Sequence, residues 1–209
     1  MSNYDFTLYH YWRSSCSWRV RWAFALKKIK LHHVPINLLQ NEQDSSSYLD
    51  KNPSGLVPCL KINTSYMGES LAILEWLEET YQKPSLLPQD AFSRMKVRQL
   101  SYTITSGVQP LQNLSVQKKY SHEKTEQLSF ARYWIEKGFH VYEDLLQDSL
   151  QGFSFGSSTT FADLCLIPQV YNAHRFGVEM EKFPKIRSIY EHCLTTDACN
   201  TTAPENYCT

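Results

Sequence analysis

Ser14-Ser15-Cys16-Ser17-Trp18-Arg19-Val20-Arg21 follows a short alternating run, Phe6 to Tyr11, that reads as a β-strand. A helix starts inside the quoted stretch, because Trp18, Trp22, Ala25, Leu26 and Ile29 recur at helical intervals. Three small hydroxyl residues and a thiol therefore crowd a helix N-terminus. Backbone N–H groups are unpaired there, and the helix dipole favours negative charge. A strand running into such a helix start suits an anion or a reactive sulfur. Taken alone, Ser14 reads first as a plain N-cap. Cys16 reads either as a small buried residue or as a nucleophile in its own right. Arg19 and Arg21 read as structural residues.

Outward from this corner the pattern alternates between element types. Lys27, Lys28 and Lys30 sit at the C-terminal end of the helix, where cations suit the dipole. A second strand is expected at His33 to Asn37, and a loop or short helix at Gln40 to Ser47. Two strands, Cys59 to Asn63 and Ser65 to Gly68, are joined by a tight turn at Asn63-Thr64. Ser70 to Thr80 carries Leu71, Leu74 and Leu77 as a helical stripe. The order is β-α-β-(α)-β-β-α. Tyr81 to Asp90, with Pro84 and Pro88, reads as a linker region, and no convincing strand follows it.

The rest is helical in pattern. Phe92 to Val116 must kink or break at Pro110. Leu128, Ala131, Ile135, Phe139, Tyr142 and Leu146 form another helical stripe. Thr160-x-x-Asp163 predicts a capping box before an apolar helix, Leu164 to Phe176. Pro184 opens a last helix, Lys185 to Leu194, and the polar tail from Ala198 to Thr209 is expected to be loosely ordered. An α/β domain (1–82) thus precedes a linker (83–90) and an all-α domain (91–209).

The totals exclude several functions. The formal net charge is +0, which offers no broad surface for nucleic acid or membrane. No apolar run is long enough to span a bilayer, and no secretion signal is visible, so the expected location is cytoplasmic. The 6 cysteines are scattered and read as reduced thiols, with no CxxC pair. No Cys/His spacing suits a metal, and no GxGxxG or GKS/T phosphate loop is present.

Three spots in the α/β domain read together. The first is the helix start at Ser14. The second is Val57-Pro58, directly before the third strand, where proline suggests a fixed turn, a cis bond and a Val57 backbone open to a peptide-like ligand. The third is Glu69-Ser70, which puts a hydroxyl at another helix N-terminus, ready for a carboxylate. A thiol-activating corner, an open strand edge and a carboxylate-binding corner match the parts of glutathione.

The chain, roughly Thr7 to Ile189, resembles the zeta class of glutathione transferases, whose best-known members are maleylacetoacetate isomerases. The likeness lies in Arg13 to Arg21, Asn52-Pro53, Val57-Pro58, Glu69 to Ile73, Leu87 to Asp90, Gln109 to Leu114 and Ala162 to Val170. It implies a thioredoxin-like N-terminal domain, an all-α C-terminal domain, bound glutathione and a homodimer. Residue by residue, it implies that Ser14 hydrogen-bonds the glutathione sulfur, with Ser15 and Cys16 lining the same corner. Val57 would pair with the glutathione backbone beside a cis Pro58. Glu69 and Ser70 would hold the γ-glutamyl end, and Gln43 would match a glutathione-binding glutamine. Gln109, Asn113 and Ser115 would face the site from the helical domain, and Arg175 would meet a substrate carboxylate. Glu69 stands where the class more often has glutamine.

The activity this implies is the glutathione-dependent cis–trans isomerisation of maleylacetoacetate to fumarylacetoacetate in tyrosine and phenylalanine breakdown. Two other readings stay open: a general zeta-type transferase acting on α-halo acids or other small electrophiles, and a non-catalytic transferase-like partner protein.

Overall fold

The computed structural model describes residues 4–146 and 151–208. The chain divides into two compact units: Met1–Ser85 with Asp197–Thr209, and Leu86–Thr196.

The first unit is built around a mixed sheet. Its elements are β1 (Phe6–His10), α1 (Ser15–Leu26), β2 (His32–Pro35), α2 (Ser46–Leu49), β3 (Cys59–Ile62), β4 (Ser65–Met67) and α3 (Ser70–Thr80). The strand order is β2-β1-β3-β4. β1 runs parallel to β2, with Leu8 opposite His33, and antiparallel to β3, with Leu8 opposite Leu60. β3 and β4 form the expected hairpin. A parallel pair followed by an antiparallel hairpin is the thioredoxin-like arrangement.

Strand β1 alternates as its sequence predicts, burying Phe6, Leu8 and His10. α1 is buried almost all round, including Trp18, Val20, Trp22 and Phe24, because it lies against α3 on one side and the tail on another. Lys27, the C-cap of α1, does more than complement the helix dipole. It is buried, and its Nζ donates to Glu78 Oε2 at 2.8 Å and to the carbonyls of Tyr81 at 2.5 Å and Pro84 at 2.8 Å. The charge clips the end of α1 to the end of α3.

The second unit contains α4 (Ala91–Thr105), α5 (Leu114–Tyr120), α6 (Lys124–Leu145), α7 (Phe161–Arg175) and α8 (Pro184–Leu194). The long helix expected over 92–116 ends at Thr105, and turns carry the chain past Pro110 to α5. α7 is the central helix, with an unbroken buried run from Phe161 to Val170. Its capping box forms. Asp163 Oδ2 accepts from Thr160 N–H at 2.8 Å and Thr160 Oγ1 at 3.0 Å, and Asp163 Oδ1 accepts from Ser154 N–H at 2.7 Å. Burial pushes the Asp163 carboxyl pKa up, against the pull of these hydrogen bonds.

The tail is ordered, contrary to the expectation from its composition. It forms α9 (Asp197–Thr201) and a 3-10 turn at Pro204–Tyr207, and it packs with the first unit. Trp18 Nε1 donates to Thr202 Oγ1 at 3.2 Å, and Arg21 Nε donates to the Thr202 carbonyl at 3.3 Å. The Arg21 guanidinium lies 4.4 Å from the centre of the Tyr207 ring, which also meets the rings of His10 and His33. Short polar residues look disordered only while their partners on α1 are unknown.

Candidate active site

Ser14 is the N-cap of α1. It has extended backbone angles, and its Oγ accepts from Ser17 N–H at 3.2 Å. The plain-cap reading is therefore correct, and it has a chemical consequence. A serine hydroxyl carries one proton and two lone pairs. With Oγ accepting from the helix, its proton remains available to a further acceptor. Ser15 is buried at the first helical position, and Cys16 next to it is a half-buried free thiol. Cys59 is a poor nucleophile by contrast, because burial pushes its thiol pKa up to about 11.

At the second spot the Val57–Pro58 bond is cis, as expected. Val57 is half-buried, and among the described residues no hydrogen bond engages its N–H or carbonyl. The strand that follows begins only at Cys59.

At the third spot Glu69 is exposed and is the N-cap of α3. Its φ of 57° and ψ of 97° are rarely adopted by a residue with a Cβ. Its side chain makes no cap, so the first turn of α3 keeps its N–H groups open. Ser70 begins α3 and is 7% exposed. Its Oγ receives a hydrogen bond of 2.6 Å from Arg19 Nη1, and the same nitrogen lies 3.8 Å from Cys16 Sγ. One buried guanidinium thus joins the Ser14–Cys16 corner to the Glu69–Ser70 corner. The sequence reading gave Arg19 only a structural role. Its position on the buried stripe between Trp18 and Trp22 was the available signal.

Of the remaining expected residues, one lies in the first unit and the others in the helical unit. Gln43 sits in a 3-10 turn, Glu42–Asp44, with its amide donated to Asp44 Oδ2 at 2.9 Å. In the helical unit Asn113 caps α5. Its Oδ1 accepts from Ser115 N–H at 3.1 Å and Ser115 Oγ at 3.0 Å. Gln109 Nε2 reaches Gln169 Oε1 at 3.4 Å, and Gln169 exchanges two amide hydrogen bonds of 2.8 Å with Gln112. This amide pair fastens the turn after α4 to α7, and the sequence reading did not single out Gln169. Arg175 is exposed at the last position of α7, with Nη1 donating to Asn172 Oδ1 at 2.9 Å.

Two family models match the chain. Residues 8–85 match "Glutathione S-transferase, N-terminal domain", and residues 109–197 match "Glutathione S-transferase, C-terminal domain". The chain is 46% identical over 199 residues to the maleylacetoacetate isomerase of Rattus norvegicus, covering 94% of this chain and 91% of the relative. Among solved structures it resembles a holo maleyl pyruvate isomerase, described as a bacterial zeta-class glutathione S-transferase. The TM-score there is 0.92 at 35% identity, over 95% of this chain and 96% of the other. It also resembles the maleylacetoacetate isomerase of Anaeromyxobacter dehalogenans, crystallised with glutathione bound in the active site. That TM-score is 0.88 at 36% identity, over 98% of this chain and 97% of the other.

Proposed function

We propose a function from one premise: the chain belongs to the glutathione S-transferase family, in its zeta class. It is a glutathione-dependent cis–trans isomerase that converts maleylacetoacetate to fumarylacetoacetate, a step of tyrosine and phenylalanine breakdown.

The observation that carries this reading is that Ser14 Oγ accepts from Ser17 N–H, which leaves its own proton without an acceptor among the described residues. The residues of the first unit fit glutathione in three ways. Ser14, with the α1 N-terminus, offers a donor and a favourable dipole to a sulfur anion, and Ser15 and Cys16 line that corner. Val57 offers an unpaired main chain to the peptide. Ser70, the open first turn of α3 and Glu69 suit the charged γ-glutamyl end, with Gln43 as a further contact.

A helix terminus favours an anion by about 0.3–2 kcal/mol, which lowers an ordinary thiol pKa of about 8.5 by up to about 1.5 units. The Ser14 hydrogen bond lowers it further, because donors to a charged acceptor are the strong ones. When bound, glutathione supplies a thiolate that adds reversibly to the cis double bond of the substrate, which turns as a single bond and reforms trans on elimination. Ser14 holds the negative charge at the sulfur before addition and after elimination. Arg175 binds a substrate carboxylate, and Gln109, Asn113 and Ser115 contribute contacts from the helical unit.

The test is spectrophotometric. Purified protein with glutathione isomerises maleylacetone, and without glutathione it does not. No isomerisation with glutathione present, alongside turnover of α-halo acids, replaces this reading with the general transferase.

The chain acts as a homodimer in the cytoplasm. Phe92, Met95 and Tyr102 are 62%, 53% and 46% exposed and share one face of α4, an apolar stripe suited to a second copy. All 6 cysteines carry free thiols, which a reducing compartment preserves. Light scattering at micromolar concentration gives twice the 24.4 kDa chain mass, and a monomer there refutes the dimer.

A further inference from the structure

Arg19 is 1% exposed, yet it lies one helical turn beyond Cys16 and touches both corners of the candidate site. A guanidinium has only donors, and a serine hydroxyl has one proton and two lone pairs. In the 2.6 Å contact between Arg19 Nη1 and Ser70 Oγ, Ser70 must therefore be the acceptor. Its single proton is turned away from Arg19. Arg19 is the only hydrogen-bond partner of Ser70 Oγ among the described residues. An unconstrained serine in a helix commonly turns its proton back on a carbonyl of its own chain. Here that rotor is fixed, and a formal positive charge stands directly behind the oxygen. Both effects strengthen Ser70 as a donor to an anion at the start of α3.

We propose that Arg19 is a positioning residue for carboxylate recognition. It fixes the Ser70 hydroxyl as a donor to the α-carboxylate of the γ-glutamyl residue. The inference rests on the glutathione reading above and adds a residue and a direction to it. Arg19 does not touch the ligand in this account. Its effect falls on ground-state binding of one end of the tripeptide and leaves the reacting sulfur at the other end unchanged.

The experiment compares glutathione with an analogue lacking only the γ-glutamyl α-carboxylate, by calorimetric titration of the full chain. The proteins are wild type, Arg19→Gln, Arg19→Lys, Ser70→Ala and the Arg19→Gln/Ser70→Ala double variant. Wild type prefers glutathione by about tenfold or more, as expected for a hydrogen bond to a charged group. Arg19→Gln loses most of that preference, and its affinity for the analogue stays within about twofold. The KM for glutathione rises while kcat at saturation holds, a split that general loosening of the fold does not produce. The double variant binds glutathione no more weakly than Ser70→Ala, and Arg19→Lys recovers part of the preference.

Equal weakening of both ligands by Arg19→Gln, or full additivity with Ser70→Ala, overturns the proposal. If neither Arg19 variant folds, Ser70→Ala decides: equal loss of glutathione and analogue affinity overturns the proposal, and selective loss of glutathione supports it. A wild-type chain that binds both ligands equally refutes the positioning role while leaving glutathione binding in place. A wild-type chain that binds neither refutes the reading on which the proposal rests.

Discussion

The starts of α1 and α7 are both helix N-termini with a hydroxyl residue at the cap, and they use it in opposite ways. At α7 the Thr160 hydroxyl donates to Asp163, which also takes N–H groups from Thr160 and Ser154. Each donor is matched inside the protein and the corner is sealed. At α1 the Ser14 oxygen accepts from Ser17, so its proton is left over. Ser70, at the start of α3, is left in the same condition by Arg19. A sealed terminus serves stability, and an open one serves a ligand. The side of α1 that faces the tail is of the sealed kind, with Arg21, Trp18 and Tyr207 matched among themselves and their neighbours.

The contrast can be broken by substitution. Asp163→Ala leaves two buried N–H groups without acceptors, at about 1–3 kcal/mol each. The expected loss is about 4 kcal/mol, or roughly 8–16 °C in the thermal transition of the chain. In cold, fully folded samples glutathione affinity stays within about twofold. An unchanged transition temperature shows that the α7 corner is not a sealed, stabilising device.

Ser14→Ala reverses the pattern. Removing one preorganised donor to a catalytic anion lowers kcat/KM by about 100-fold. The lost cap costs only about 1 kcal/mol of stability. Full activity in this variant removes the functional half of the comparison.

Acid sharpens it further. Burial, then the charge of Arg21, holds the His10 pKa down to about 3, and His33 is held down to about 4 by the same causes. Both imidazoles are neutral in the folded protein, whereas the unfolded chain protonates them near 6.5. Their depressed pKa values make their stabilising effect complete above about 6.5 and lost progressively as pH falls towards 3–4. Most of the effect belongs to His10, because solvent screens the exposed His33. Thermal melts from pH 7 to pH 4 show falling stability, with a shallower slope for His10→Gln. Equal slopes in the two proteins count against the sealed reading of the tail side.

The smallest expected effect is that of Tyr207→Ala. It removes the cation–π contact with Arg21, worth about 1 kcal/mol, and lowers the melting temperature by a few degrees. An unchanged melt means the tail ring is not part of the seal.

Much of this arrangement is legible in the sequence, and the limits have physical causes. Strands, helices and the three corners are local patterns: alternation at Phe6 to His10, a hydroxyl before a helix at Ser14, proline before a strand at Pro58. Arg19 and Thr202 were out of reach for one shared reason. Each is polar, each is buried, and each is explained only by a partner far along the chain, Ser70 for one and Trp18 for the other. Composition assigned Arg19 to structure and the tail to solvent because neither partner is visible within a local window. The Lys27 ion pair is hidden from the sequence for the same reason, since Glu78 lies 51 residues away.

The docked tail also sets an order of events during synthesis. The sheet-bearing unit is assembled from the first 85 residues and from 197 onward, with the whole helical unit translated between them. While the ribosome makes that insert, the Thr202 hydroxyl that receives the Trp18 indole N–H is not yet made, and Arg21 lacks both the Thr202 carbonyl and the Tyr207 ring. The helix that carries Ser14 and Cys16 is therefore among the first elements to leave the exit tunnel and among the last to be fully clothed.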